Sequence, residues 1–170
     1  MKIVSSQKRS IVYFNEKDST YIKIFKPKFI NKLKYFLRLR KYPGDNFKFI
    51  SVELKKLGIS TVTILNYTHY SVITEKIDGI SLEKYLAIHK DSKILNDYIN
   101  LVVTLLKNNI YCGDLSYDNF FVMNKQIIAL DLEDYRKVKF FKRSSDEALR
   151  RLQGKIDDNV LEKIKKVFHR

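Results

Sequence analysis

The stretch from Tyr111 to Asp131, reading YCGDLSYDNFFVMNKQIIALD, constrains this chain more than any other. Asp114 is followed five residues later by Asn119, then by an apolar run from Phe120 to Met123, a turn at Asn124–Lys125, and a second apolar run from Gln126 to Leu130 that delivers Asp131. Two short apolar runs around such a turn read as a β-hairpin with polar groups at its open end. A carboxylate beside an incoming hydroxyl can accept its proton. An amide oxygen and a second carboxylate can share a magnesium ion on a chain of phosphates. A surface turn rich in Asp and Asn is the plain alternative, and it leaves the ordered pieces upstream without a reason.

Those pieces begin with three apolar stretches, Met1–Val4, Ile11–Phe14 and Tyr21–Phe25, separated by polar turns, which predict three antiparallel strands. Lys23 lies among the apolar residues of the third and needs an anionic partner if it is buried; on an edge strand it would snorkel instead. Residues 27–41 are a basic amphipathic segment, with Phe29, Ile30, Leu33, Phe36 and Leu37 at helical spacing. Such a segment suits either an anionic membrane surface or a helix packed with its basic face in water. After Tyr42–Pro43–Gly44, Asp45 or Asn46 is expected to cap a helix over Phe47–Leu57 that ends at Gly58 and carries Glu53 beside its apolar stripe. A hairpin over Thr61–Tyr67 and His69–Glu75 follows, then helices Leu82–His89, capped by Ser81, and Ile94–Lys107. Beyond Asp131 the pattern gives a loop to about Arg143, a helix capped by Ser144 or Ser145, and a basic helix from Asp157.

Composition narrows the setting. With 170 residues, 45% of them hydrophobic, the chain is expected to form one compact unit. Its single cysteine, Cys112, excludes an internal disulfide and fits a reducing compartment. No apolar run reaches membrane-spanning length and the N-terminus lacks a signal-peptide pattern, so a cytoplasmic location is expected. The formal net charge of +14 calls for an anionic partner. A nucleic acid would explain the charge but not Asp114, Asn119 and Asp131, and is disfavoured. His69 and His89 have no ligand neighbours at zinc spacing.

The string GDLSYDN, followed by ALDLE, resembles the catalytic loop and metal-binding segment of the protein-kinase-like superfamily. Within it, the order of strand Lys, basic linker, helix Glu, Gly–Asp with an Asn five residues on, Leu–Asp–Leu and short basic tail is similar to the heptose kinases of the lipopolysaccharide core. The resemblance implies an α+β fold of minimal bilobal kinase type in one domain. A small antiparallel-sheet N-lobe would cover residues 1–76 and a mainly helical C-lobe residues 77–170. ATP and Mg²⁺ are the implied cofactors. Asp114 would be catalytic, Asn119 and Asp131 would hold the metal, and Lys23, steadied by Glu53, would hold the phosphates. Backbone groups at Glu75, Lys76 and Ile77 would bond the adenine at a hinge. The implied substrate is a sugar hydroxyl of the anionic core glycolipid, met at the inner face of the cytoplasmic membrane. A small RIO-like protein kinase and a pseudokinase binding module are the alternatives. Four departures stand out: Cys112 where protein kinases have His, Ser116 where they have Lys, Glu133 where the metal-binding triplet ends in Gly, and no glycine before Gly44, so that the turn from Ser5 to Ser10 would have to cover the phosphates with ordinary residues, Lys8 or Arg9 compensating by charge.

Overall fold

The computed structural model describes residues 1–138 and 142–169, without the side chains of 142–144. Three strands, β1 (Lys2–Ser6), β2 (Ser10–Asn15) and β3 (Thr20–Phe25), form the predicted meander. After the helices α1 (Phe29–Phe36) and α2 (Pro43–Lys56) come a two-residue strand β4 (Ser60–Thr61) and the hairpin β5 (Ile64–Thr68) and β6 (Ser71–Glu75). The antiparallel sheet has the order β1-β2-β3-β6-β5, so β3 is central and Lys23 lies between Val12 and Val72. Lys23 is therefore not on an edge, and snorkelling is excluded by topology.

Helix α2 begins earlier than the cap residues suggest. Tyr42 is its N-cap and Pro43 its first residue, where a fixed φ and a missing N–H cost nothing. Gly44 lets this turn approach the β5–β6 connection; a Cβ there would lie 1.9 Å from the Thr68 carbonyl. Asp45 then accepts from His69 Nδ1 at 2.8 Å, and Asn46 is free for another task. Phe47, Ile50 and Leu54 are buried, and Gly58, at φ +75°, ends the helix as predicted.

The second lobe starts with β7 (Ile80–Ser81) and α3 (Leu82–His89), whose first turn donates Lys84 N–H to Ser81 Oγ. Helix α4 (Ser92–Lys107), capped by Asp91, is followed by β8 (Ile110–Cys112), the hairpin β9 (Phe120–Met123) and β10 (Gln126–Ala129), β11 (Tyr135–Lys137), α5 (Lys142–Leu152) and α6 (Asp158–Phe168). Four short strands, β4, β7, β8 and β11, escaped the sequence. β4 runs parallel to β10, Thr61 beside Ala129, and β11 pairs with β8, Tyr135 opposite Cys112. Two- and three-residue strands carry too little alternation to read. Residues 139–141 of the expected loop lie outside the described residues, as does the side chain of Ser144; the helix is under way by Lys142, so Ser144 and Ser145 are inside it rather than capping it. One core runs through both lobes, from Phe25 and Ile50 through Tyr98 and Phe120 to Ile164. Among the described residues no helix is long and apolar enough to cross a membrane.

Candidate active site

The β9–β10 hairpin positions the site. Ala129 sits opposite Phe120, so Asn119 and Asp131 flank the same open end, and Leu130 N–H donates to the Asn119 carbonyl at 3.1 Å. Asn119 lies in a 3-10 turn over Tyr117–Asn119 and gives its Nδ2 hydrogens to the Asp114 carbonyl and Ser116 Oγ, both at 3.4 Å. Its Oδ1, the atom able to ligate a metal, remains available. The Asp114 loop is held from behind by buried groups: Tyr98 of α4 donates to the Leu115 carbonyl at 2.6 Å, and the Cys112 thiol to the Asp114 carbonyl at 3.1 Å. Burial pushes that thiol up to about 12, so Cys112 is a structural donor rather than a nucleophile.

Asp114 accepts from the Ser116 N–H at 3.1 Å and from Lys155 Nζ at 2.9 Å. Burial alone would raise its pKa, but these two donors overcome it and hold the carboxyl below the usual range. Lys155 comes from the connection between α5 and α6 and puts an ammonium beside Asp114, where the loop itself offers only Ser116. Nothing in its sequence neighbourhood signals that proximity.

Lys23 meets Asp131 Oδ1 at 2.7 Å, across 108 residues of chain, and also pairs with Glu133. Desolvation works to lower the Lys23 pKa, yet the two carboxylates more than offset it, so the ammonium is held charged. The expected partner, Glu53, is elsewhere: it binds Lys56 at 2.7 Å and Lys137, which hold its carboxyl down to about 2. The residue that steadies Lys23 is thus Glu133, found where a Gly was anticipated. A Glu two residues beyond Asp131, in a segment bound to face the central strand, was the available signal. Helix α2 contributes Asn46 instead of Glu53: its amide donates to the carbonyls of Glu133 at 3.2 Å and Tyr135 at 2.9 Å, clamping the segment in place. Burial raises the Glu133 pKa and Lys23 opposes it; Oε2 has no hydrogen-bond partner among the described residues. Asp131 adopts φ +50° and its side chain stays 58% exposed, open to a further ligand.

At the hinge, the N–H groups of Glu75 and Lys76 are already given to the Thr63 and Ser19 carbonyls, so neither N–H is left for a ligand, while among the described residues no backbone carbonyl takes the Ile77 N–H. A cavity of about 610 Å³ borders Lys76, Ile77 and Gly79, with Tyr21, Tyr85, His89 and Phe121 among its lining. Among the described residues no three His, Cys, Asp or Glu side chains gather as a metal cage. Asn119 Oδ1 and the Asp131 carboxylate suit an ion that takes most of its ligands from phosphates and water, which is how Mg²⁺ is held on nucleotides.

Comparison with known proteins agrees with this architecture. The Rio2 kinase from Chaetomium thermophilum, in an ADP/Mg²⁺-phosphoaspartate complex, superposes with a TM-score of 0.60 at 14% identity over 98% of this chain. The chain spans 61% of the Rio2 chain. A streptomycin–ATP ternary complex of the phosphotransferase APH(2")-IIa matches with a TM-score of 0.57 at 14% identity, covering 99% of this chain and 78% of that one. The fold is kinase-like. No protein-family model and no curated protein matches the sequence.

Proposed function

We propose that the chain is an ATP- and Mg²⁺-dependent phosphotransferase acting on a sugar hydroxyl, a heptose or related residue of the lipopolysaccharide core. The observation that supports this reading is the run of contacts joining three separate segments: Lys23 to Asp131, the neighbouring Leu130 N–H to the Asn119 carbonyl, and the Asn119 amide to the Asp114 carbonyl. Lys23, braced by Glu133, would hold the α and β phosphates. Asn119 and Asp131 would hold Mg²⁺, which neutralises charge on the transferring phosphoryl group when bound. Asp114, ionised at neutral pH, would orient the acceptor hydroxyl and take its proton, with Lys155 beside it to offset charge building on the phosphoryl oxygens. Tyr21 and Phe121 would enclose the base, with the Ile77 N–H as its hydrogen-bond donor.

The sugar acceptor is supported by the sequence order shared with heptose kinases and by the surplus of positive charge. The anionic glycolipid would be met at the inner face of a membrane, and α1 supplies a surface for that contact. Phe29, Ile30 and Phe36 are 79%, 66% and 78% exposed, and lysines and arginines surround them from Lys26 to Lys41. Mass spectrometry of core oligosaccharide incubated with Mg·ATP and the protein tests the reading: one added phosphate, lost with Asp114→Asn, is the expected result. A RIO-like protein kinase is the second reading, favoured by the likeness to Rio2. Label passing from ATP to protein instead of to oligosaccharide would decide for it.

A further inference from the structure

The cleft does not end at Lys23. Strand β3 runs from Thr20, opposite Glu75 at the hinge, through Lys23 to Phe25, opposite Ser10, and Phe25 and Ser10 line a second cavity of about 460 Å³. The β1–β2 turn, the end of α1, the start of α2 and the segment from Asp131 to Lys137 enclose it. Its described lining carries six basic side chains against three carboxylates. Asp131 and Glu133 are taken by Lys23, Lys137 is taken by Glu53, and Lys41 lies over the Phe49 ring at 4.6 Å. Arg9, Arg40 and Arg136 remain, and among the described residues none of them has a carboxylate within ion-pair distance.

Arg9, Arg40 and Arg136 all line this one cavity, together with Tyr35, so the three guanidinium groups border the same space. Burial, and next the charge of Arg40, weigh against the charged form of Arg136, while Asp134 supports it from beyond ion-pair distance. Like charges gathered around one cavity repel, and a bound oxyanion relieves that repulsion. Guanidinium forks match the oxygens of a phosphate or carboxylate in pairs.

We infer that Arg40 and Arg136, with Arg9 of the β1–β2 turn, form an oxyanion site for a phosphate or carboxylate group carried by the acceptor. The site lies beyond the phosphate-binding Lys23, at the end of the cleft remote from the hinge. Its role toward the acceptor rests on the phosphotransferase reading above; its affinity for an oxyanion does not. It would select acceptors that already carry negative charge, and it would anchor them away from the reacting hydroxyl.

The test is a titration of the full chain with inorganic phosphate, followed through the arginine Nε–H resonances. Saturable shifts at Arg40 and Arg136 are expected, with affinity falling at least about tenfold in Arg40→Gln/Arg136→Gln and less in the Lys/Lys pair, which keeps charge but loses the fork. Lys163→Met, on α6 and not part of the cavity lining, should retain phosphate binding. Absence of saturable shifts, unchanged affinity in the double Gln variant, or an equal loss of binding in Lys163→Met would overturn the site. A second arm uses Mg·AMP-PNP. Nucleotide affinity that survives the double Gln variant supports the acceptor as the source of the oxyanion. A fall equal to that for phosphate assigns the cavity to the nucleotide's own phosphates and overturns the inference. Phosphate binding with no nucleotide binding at all removes the proposed function and leaves the oxyanion site standing.

Discussion

Two lysine–carboxylate contacts frame the cleft, and they differ in solvent. Lys23, 14% exposed, is locked between Asp131 and Glu133 at the first lobe's side. Lys155 and Asp114, each 44% exposed, meet at the second lobe's side. In the first, burial makes the partners interdependent: either ion alone would be stranded away from water. In the second, water screens the attraction, and the pair costs little to break. The inner contact therefore serves architecture and charge placement together, whereas the outer one opens at little cost.

The largest expected effect is at the outer contact. Asp114→Asn should lower turnover by about 10²–10⁴ with no loss of folding, read by ATP-dependent phosphate transfer and by urea denaturation. Near-full activity would erase the catalytic distinction between the two pairs. At the inner contact Lys23→Met should cost about 3 kcal/mol of stability at neutral pH, since Glu133 loses its counter-charge. Burial raises the Glu133 pKa even beside Lys23, so the loss grows as pH rises above that raised folded-state value, and denaturation at pH 5 should recover part of it. A pH-independent loss would mean that Glu133 keeps the same protonation with and without Lys23.

Lys155→Ala should change stability by less than about 1 kcal/mol. It should move the acid limb of the kcat/KM profile to higher pH, because Asp114 then keeps its burial but only the Ser116 donor. The sign follows from the lowered pKa of Asp114 in the folded state: its contribution is present above the unfolded value and disappears as pH falls through the folded one. An unmoved acid limb would detach Lys155 from the reacting carboxylate. The smallest effect on stability belongs to α1, where Phe29→Ser/Phe36→Ser should stay within about 0.5 kcal/mol of wild type. Co-sedimentation with vesicles containing anionic lipid should nevertheless drop sharply; equal binding would take α1 off the membrane.

The hairpin was legible because its register depends on local alternation and one turn, and that register fixes where Asn119 and Asp131 fall. The helices α2, α3, α4 and α6 were legible to within a few residues from their periodicity, with Pro43 rather than a polar cap setting the start of α2. The partner of Lys23 was not. Glu53 and Glu133 are both carboxylates near apolar residues, and only the angle at which α2 packs over the Asp131 segment decides that Asn46 faces it while Glu53 turns to Lys137.

The amino-acid order by itself settled the strand carrying Lys23 and the loop and hairpin carrying Asp114, Asn119 and Asp131, because each depends on periodicities and turns within a few residues; the two-lobed α+β plan followed from the resemblance to kinases. Tertiary structure alone decided that Glu133 braces Lys23, that Lys155 reaches Asp114, that the apolar side of α1 faces outward, and that Arg40 and Arg136 share a cavity. Those are meetings between segments tens of residues apart, and pairing at that range is set by how elements pack rather than by any local pattern.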